Sequence, residues 1–327
     1  MRATLGSMLR WGVLGTARFG DSFVPLIRAA GQRVVTVASR SAERARECAA
    51  RWEVERWTAS YEALLADPEI DVVYIPLPNA LHVEWTLRAV EAGKHVLCEK
   101  PLALEPADVD RVATAASAAG VVVSEAFAYR AHPLTAKLRA LVRDGAIGTP
   151  RLINSAFTFL FTREGDVRFD PSLGGGALWD VGCYCVSLAR YVLAEEPVEA
   201  TASQRVGATG VDLSFDGTLR FPFDARLQFR CSFEAPPDTR TEIVGTAGTI
   251  VVEHPYKPHV RSEIVVNGEP LTIPGDDARI ALVQDFARAI AEGTPPSMTL
   301  DDSRANAAAL AALAEAAKSG RVLRIGG

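Results

Sequence analysis

The sequence predicts an α/β protein in which an N-terminal parallel sheet of the Rossmann type is followed by an α+β domain with a large open, mostly antiparallel sheet. In residues 1–125, short apolar runs alternate with helical segments at the spacing of right-handed βαβ crossovers. In residues 126–327, apolar and polar side chains alternate with a period of two, which is typical of antiparallel strands with one buried face. The length of 327 residues also favours two domains.

Composition narrows the class of protein. Hydrophobic residues make up 48% and charged residues 23% of the chain, which is ordinary for a globular protein. The net charge of −5 offers no basic surface for nucleic acid or an anionic membrane. Five cysteines without a Cys-x-x-Cys motif favour reduced thiols in the cytoplasm, and we expect Cys183 and Cys185 to pack rather than bind a metal. We therefore predict a cytoplasmic protein without a metal, nucleic-acid or membrane partner.

The first domain is predicted element by element. Residues 1–7 are interpreted as a loose tail before Met8. Ser41 is a suitable N-cap for the second helix, and Gly93 and Gly120 end later helices. Strands are predicted at 9–15, 34–39, 70–75, 96–98 and 121–124, and helices from Gly20 to 30, from 41, and at 61–66, 79–92 and 105–119.

The second domain begins with a predicted helix at 134–142 and then becomes β-rich. In 225–233 the odd positions from Leu227 onward are apolar and the even positions polar, which predicts one buried face. Asp216-Gly217 and Asn267-Gly268 predict hairpin turns. The segment 152–161 is apolar on both faces, so we expect helices on one side of it and a second subunit on the other. Long helices are predicted at 277–291 and 300–318, and the last could pack back on the first domain.

The segment around Lys100 is the first candidate for chemistry. The buried run 96–98 is ended by Pro101, which places Glu99 and Lys100 at the carboxyl end of a parallel strand, where ligands bind in such sheets. Lysine is scarce, since it accounts for only five of 35 basic residues, and a retained Lys100 suggests a need for a compact ammonium with a tunable pKa. The alternative is an exposed loop lysine paired with Glu99.

A dinucleotide site is predicted at the first two strand ends. The turn Gly15–Gly20 carries the first and third glycines of a Gly-x-Gly-x-x-Gly motif, with Ala17 in place of the second. A tight turn without a ligand is the alternative. After the second strand, Ser39 and Arg40 stand where an NAD site carries an acidic residue, and a guanidinium suits a 2′-phosphate. We therefore predict NADP, with NAD as the alternative. The turn residues expected at the cofactor are Gly15, Thr16, Ala17, Arg18 and Phe19.

The second candidate for chemistry is the glycine-rich segment 174–184. It enters a predicted helix on which Asp180 and Tyr184 stand four residues apart, on one face. With Lys100 arriving from the other domain, three proton-handling groups could converge, and an ammonium nearby would lower the pKa of the tyrosine. The alternative is a buried structural tyrosine with Asp180 in solvent.

Taken together, these motifs resemble a known family. Over nearly its full length from Met8, the chain resembles the glucose-fructose oxidoreductase, inositol dehydrogenase and related (Gfo/Idh/MocA) oxidoreductases. The resemblance rests on the segments 15–20, 76–82, 99–101, 127–133, 168–171 and 174–184. Tyr184 stands where the inositol dehydrogenase branch carries histidine, so the chain looks more like the dihydrodiol dehydrogenase, xylose dehydrogenase and sugar 3-ketoreductase branch, which tends to use NADP.

The resemblance implies hydride transfer between a nicotinamide and a carbohydrate-like hydroxyl or carbonyl carbon. It also implies homo-dimers or homo-tetramers that form through the open sheet. Two other functions of this fold stay open, a non-catalytic sugar-sensing regulator and an NAD-dependent glycosidase. The resemblance implies Lys100, Tyr184 and Asp180 as catalytic residues; Pro78, Asn79, His82 and Glu99 as further cofactor contacts; and Arg130, His132, Arg168 and Trp179 as further substrate contacts.

Overall fold

The computed structural model describes residues 8–326, which form two compact units. The first unit contains residues up to 103, 107–131 and 279–303, and the second contains 104–106, 132–278 and the residues from 304 onward. The loose tail predicted at 1–7 lies outside the described residues.

The first unit contains a six-stranded sheet in which every neighbouring pair is parallel. The strand order is β3-β2-β1-β4-β5-β6, which confirms the predicted Rossmann topology. Only β3 was missed, because its three residues are polar or partly exposed and carry no apolar run. The strands are β1 Arg10–Leu14, β2 Arg33–Ala38, β3 Arg56–Thr58, β4 Val72–Ile75, β5 His95–Cys98 and β6 Val123–Glu125.

The helices of this unit follow the predicted start and stop signals. Ser41 accepts a hydrogen bond from the Arg44 N–H at 3.3 Å as the N-cap of the second helix, and Ser60 caps the third. Gly93 and Gly120 have φ of 71° and 65°, the left-handed conformation that ends a helix. The helices are α1 Gly20–Ala29, α2 Ala42–Arg51, α3 Tyr61–Leu65, α4 His82–Glu91 and α5 Pro106–Ala119.

A helix from the end of the chain completes the core of the first unit. Leu282, Val283 and Phe286 of α8 (Ala278–Glu292) are buried with the sheet residues, and the Phe286 ring lies 5.9 Å from the Trp11 ring. The sequence predicts a second domain over all of 126–327, whose last helix could pack back on the first domain. In the structure the segment that joins the first unit is 279–303, because the apolar face of α8 covers Trp11.

The second unit contains a nine-stranded sheet of order β14-β13-β12-β11-β7-β10-β9-β8-β15. The pair β7 and β10 is parallel and the other pairs are antiparallel, which confirms the predicted mostly antiparallel sheet. The strands are β7 Pro150–Thr158, β8 Glu199–Val206, β9 Asp212–Arg220, β10 Arg226–Ser232, β11 Thr241–Gly245, β12 Thr249–Val252, β13 Arg261–Val266, β14 Glu269–Pro274 and β15 Leu323–Arg324.

One of the two predicted hairpin turns is confirmed. Asn267 and Gly268, with φ of 52° and 88°, join β13 to β14 in the two-residue turn that such a pair favours. The turn at Asp216-Gly217 was wrong, since both residues lie inside β9. Gly217 is needed there for packing, because a Cβ atom at this position would overlap the ring of Phe229 on β10.

The sheet has one buried and one exposed face. Leu227, Phe229 and Cys231 are buried, whereas Gln228 and Arg230 between them are exposed, as the alternation predicted. The helices of the second unit are α6 Pro133–Arg143, α7 Cys183–Leu193 and α9 Leu300–Ser319, whose first four residues belong to the first unit.

Candidate active site

The carboxyl edge of the first sheet begins with the turn that follows β1. Gly15 has φ of 115°, and its N–H donates to the Ala38 carbonyl at 2.8 Å. Only glycine adopts this conformation readily, and a Cβ would lie 2.9 Å from the Leu77 side chain. Gly20 packs against Trp52 so closely that a Cβ would approach the ring to 2.5 Å. Both motif glycines are therefore explained by local geometry. Between them Thr16 and Ala17 are half-buried and Arg18 and Phe19 exposed.

The end of β2 presents a cation and no carboxylate. Ser39 is 6% exposed and its hydroxyl accepts a hydrogen bond from the Ser41 N–H at 3.3 Å, whereas Arg40 is exposed. Burial raises the pKa of Tyr61, while the charge of Arg40 opposes that rise. A guanidinium supported by hydroxyl groups suits a phosphate oxygen better than a ribose hydroxyl.

Three of the predicted cofactor contacts lie in the segment after β4. Pro78 and Asn79 are half-buried, so part of each surface is accessible. His82 is 0% exposed, and its Nδ1 and Nε2 each lie 2.7 Å from a backbone carbonyl oxygen, those of Pro101 and Leu77. Burial lowers the pKa of His82. The ring is enclosed and both of its nitrogens face protein carbonyls, and the predicted cofactor contact of His82 stays a prediction.

The end of β5 carries the two ionisable residues predicted for this edge. Glu99 and Lys100 are half-buried, and the Tyr74 hydroxyl donates to Glu99 Oε1 at 2.7 Å. The Lys100-Pro101 peptide bond is cis. Immediately after it, the Leu102 N–H donates to Glu125 Oε1 at 3.0 Å, and Glu125 is 2% exposed. The buried Glu125 carboxylate therefore holds the turn that carries Lys100, at the residue after Pro101.

Two of the predicted substrate contacts, Arg130 and His132, are buried. The Arg130 side chain is 2% exposed and pairs with Asp302 at 2.8 Å, a contact within the first unit. His132 is 0% exposed, and its Nδ1 accepts the Leu134 N–H at 3.1 Å as the N-cap of α6. Both side chains thus have partners within the protein, and their contacts with a substrate stay predictions.

In the second unit, three consecutive glycines precede the candidate catalytic helix. Gly174 and Gly176 have φ of 76° and 116°, and a Cβ on Gly175 would press on the backbone of Arg168. A Cβ on Gly176 would overlap the carboxylate of Asp212. The glycine run therefore lets the backbone turn between these two residues before the helix begins.

Asp212 caps this helix from the first position of β9. Its Oδ2 accepts the Leu178 N–H at 2.7 Å. Asp212 is 9% exposed, and burial raises its pKa to about 6 although the backbone donors lower it. A carboxylate at a helix N-terminus stabilises the first turn. Asp212 therefore fixes the start of the segment that carries Asp180 and Tyr184.

The helix itself begins with a π turn. Leu178–Gly182 is π-helical, and α7 continues from Cys183, so the predicted helix is present but Asp180 and Tyr184 lie on either side of the change. A π turn is frequent at functional sites. Trp179, Asp180 and Tyr184 are all half-buried, and each keeps some exposed surface.

Asp180 belongs to an ion-pair cluster that no sequence motif indicates. Arg168 Nε donates to Asp180 Oδ2 at 2.7 Å, and Arg168 also pairs with Asp166 at 3.1 Å. Burial lowers the pKa of Arg168, but the two carboxylates outweigh it and leave that pKa raised. The guanidinium also lies 5.0 Å from the centre of the Phe161 ring. Arg168 therefore orients Asp180.

Tyr184 lies in an aromatic group on the second sheet. Its ring centre is 5.2 Å from Phe157 and 5.5 Å from Tyr256, and the latter two rings stack at 5.3 Å. The Tyr256 hydroxyl contacts Ser155 beneath the group. These contacts fix the plane of the Tyr184 ring, while its half-buried state leaves part of it accessible.

Two residues of this arrangement were missed from the sequence. Glu125 ends β6, so the argument that placed Lys100 at the carboxyl edge would also have placed Glu125 there. Asp212 gives no comparable signal, because its hydrogen-bond partner Leu178 lies 34 positions away in the chain. All five cysteines are free and buried, and within 8–326 no three His, Cys, Asp or Glu side chains cluster as a metal site would require. No helix in that range could span a membrane.

Comparison with known protein families identifies two matching segments. Residues 9–127 match a family described as the GFO_IDH_MocA oxidoreductase family with an NAD-binding Rossmann fold. Residues 135–251 match the GFO/IDH/MocA C-terminal domain.

Individual proteins of known activity are similar along almost the whole chain. A D-xylose 1-dehydrogenase (NADP(+)) of Haloferax volcanii is 34% identical, over 97% of this chain and 100% of the relative. A 3-ketoreductase from Actinomadura kijaniata, solved with NADP and TDP-benzene, is 28% identical with a TM-score of 0.89, covering 95% of this chain and 98% of that one. A levoglucosan dehydrogenase solved with NADH and levoglucosan is 25% identical with a TM-score of 0.88, covering 98% and 100%.

Proposed function

This chain belongs to the Gfo/Idh/MocA oxidoreductase family, and we propose that it transfers a hydride between NADP and a sugar or sugar-like substrate. It is an NAD(P)-dependent dehydrogenase or reductase that acts on CH–OH groups. The observation that carries the proposal is Lys100, a half-buried ammonium at the carboxyl end of β5, in the sheet edge that also holds the Gly15 turn and Arg40. A non-catalytic sensor would have no use for such a group.

Proton handling is assigned to Lys100 and Tyr184. In the reducing direction, the Tyr184 hydroxyl donates a proton to the substrate oxygen, and the Lys100 ammonium stabilises the negative charge that develops there. In the oxidising direction, Tyr184 accepts that proton. Asp180, held by Arg168 at 2.7 Å, orients a substrate hydroxyl, and Trp179 borders the same substrate.

The cofactor is assigned to the accessible residues of the first sheet edge. The turn 15–19 would receive the pyrophosphate, and Ser39 and Arg40 the adenosine ribose with its 2′-phosphate. Pro78, Asn79 and Glu99 would lie along the nicotinamide half. When bound, the nicotinamide supplies or accepts the hydride. The preference for NADP is supported by Arg40 and by the NADP named for two of the similar proteins, whereas the third was solved with NADH.

The residue types are also supported by the A. kijaniata ketoreductase. Among its solved structures are one with a lysine replaced by alanine and one with a tyrosine replaced by phenylalanine. The same two residue types, Lys100 and Tyr184, are the proton-handling groups proposed here.

We also propose that the protein assembles as a homo-dimer or homo-tetramer through the exposed face of the nine-stranded sheet. Half-exposed apolar side chains lie in register there, with Leu152 opposite Val244 and Val251 opposite Val265. Burial of such a strip in an interface would be favourable. Light scattering should give a mass at least twice that of the chain, and replacement of Val251 and Val265 by Lys should reduce it to the mass of the chain.

The experiment that tests the function is a substrate panel on three forms of the protein. Parent, Lys100→Ala and Tyr184→Phe proteins are supplied with NADP⁺ or NADPH and with D-xylose, D-glucose, levoglucosan and simple ketones, and the change in NADPH fluorescence is recorded. We expect the parent to turn over a panel member and both variants to lose that turnover. If aryl glycosides release their aglycone without net NADPH change, the protein is a glycosidase. If the parent consumes nothing, the proposal fails.

A further inference from the structure

The buried imidazole of His82 bridges the two segments assigned to the cofactor and to proton handling. Its Nε2 lies 2.7 Å from the carbonyl oxygen of Leu77, which directly precedes Pro78 and Asn79. Its Nδ1 lies 2.7 Å from the carbonyl oxygen of Pro101, which directly follows Lys100. One side chain thus connects the end of β4 to the end of β5, at the edge where both segments leave the sheet.

Few solvent contacts compete with this bridge. His82 is 0% exposed, so neither hydrogen bond has water as a ready alternative partner. A neutral imidazole carries one N–H and donates to one of the two carbonyls, whereas an imidazolium donates to both. In either state the ring fills the space between the two carbonyls and fixes their separation.

A second buried group attaches the same turn from the other side. Glu125 at the end of β6 accepts the Leu102 N–H at 3.0 Å and is 2% exposed. The residues on the two sides of Pro101 are therefore connected to neighbouring elements, α4 through His82 and β6 through Glu125. Lys100 itself stays half-buried at the tip of this turn.

We propose that His82 is a positioning residue that sets the placement of the Lys100 ammonium relative to the segment 77–79. The inference rests on the proposed function, since it gives His82 a role only if Lys100 acts in the reaction. A displacement of about 1 Å at a reacting group can reduce a rate by a factor of about 100, so loss of the bridge should lower kcat while nucleotide binding persists.

Two conservative variants separate the two halves of the bridge. The amide nitrogen of Asn reaches the place of a histidine Nδ1, and that of Gln the place of Nε2. His82→Asn therefore keeps the contact to Pro101, beside Lys100, whereas His82→Gln keeps only the contact to Leu77. We expect kcat to fall about 10- to 100-fold in His82→Gln and clearly less in His82→Asn, while the Kd for NADP⁺ changes less than about threefold in both.

His95→Asn is the matched control. His95 is also a partly enclosed imidazole hydrogen-bonded to backbone, accepting the Val122 N–H at 2.9 Å, but it lies at the opposite end of β5. Its replacement should leave kcat within about threefold of the parent. Turnover is measured with the panel substrate that reacts fastest, and folding is checked by circular dichroism and nucleotide binding.

The outcomes separate the inference from the proposed function. If Lys100→Ala turns over like the parent, the proposed function fails and the inference with it. If Lys100→Ala is inactive but both His82 variants match His95→Asn, the inference alone is overturned. It is also overturned if His82→Gln is at least as active as His82→Asn, or if either variant does not fold while His95→Asn does, because His82 would then serve folding alone.

Discussion

The carboxylate of Asp212 should have opposite effects on stability and activity. Burial raises its pKa from 3.8 to about 6, so the folded protein binds this proton more tightly than the unfolded chain does. Its favourable contribution to stability is therefore complete below pH about 4 and is lost as the pH rises through about 6. The shift of about two pKa units corresponds to about 3 kcal/mol at pH 8. The ionised carboxylate that holds the start of the helix with Asp180 and Tyr184 is thus kept at a cost in stability.

Asp212→Asn removes the charge and keeps one amide oxygen for the Leu178 N–H. The free energy of unfolding of the variant, relative to the parent, should rise by about 2 to 3 kcal/mol between pH 4 and pH 8, as measured by urea denaturation at each pH. Its kcat should fall about 10-fold, because a neutral amide oxygen accepts the Leu178 N–H more weakly than the carboxylate does and holds the start of the helix less firmly.

Asp216→Asn is the control, because Asp216 lies on the same strand but is exposed. Its unfolding free energy relative to the parent should change by less than about 0.5 kcal/mol over this pH range. If the difference in unfolding free energy between the parent and Asp212→Asn does not depend on pH, the reasoning is refuted. The pKa of Asp212 would then not be raised by burial.

Three further substitutions test the proposed roles. Lys100→Ala should lower kcat by about 10²- to 10⁴-fold with little change in the Kd for NADP⁺, measured by fluorescence titration, and unaltered turnover would remove Lys100 from the mechanism. Tyr184→Phe should cause a loss of similar size in steady-state kcat, with its circular dichroism spectrum unchanged, because the ring contacts with Phe157 remain. Arg40→Asp should raise the Kd for NADPH about 10- to 100-fold and that for NADH less than about threefold, and an equal effect on both would contradict the 2′-phosphate assignment.

The parts of the fold that could be predicted from sequence are those set by local periodicity. The parallel sheet follows from buried runs such as 96–98, and the hairpin at Asn267-Gly268 follows from the backbone preferences of that pair. The same preference failed at Asp216-Gly217, because Gly217 is required by the Phe229 ring on the neighbouring strand and not by a turn. A glycine can thus be required either by a turn or by close packing, and the sequence alone does not separate the two.

The candidate site divides in the same way. The placement of Glu99 and Lys100 follows from where a short apolar run ends, which is local information. The burial of Arg130 depends on Asp302, 172 positions away, and the enclosure of His82 depends on carbonyl oxygens, which no sequence motif displays. Because such distant partners decide how accessible a side chain is, its exposure could not be predicted from the sequence.

The most direct measurement of the central claim follows the transferred hydride itself. The parent protein is incubated with NADPH carrying deuterium at the transferable position of the nicotinamide, together with the carbonyl form of its panel substrate, and the product is analysed by mass spectrometry. Hydride transfer predicts a single deuterium bonded to the carbon of the new hydroxyl group, and formation of that product at least about 100-fold more slowly with Lys100→Ala. A product without deuterium, or labelled product from the variant at the parental rate, would contradict the account.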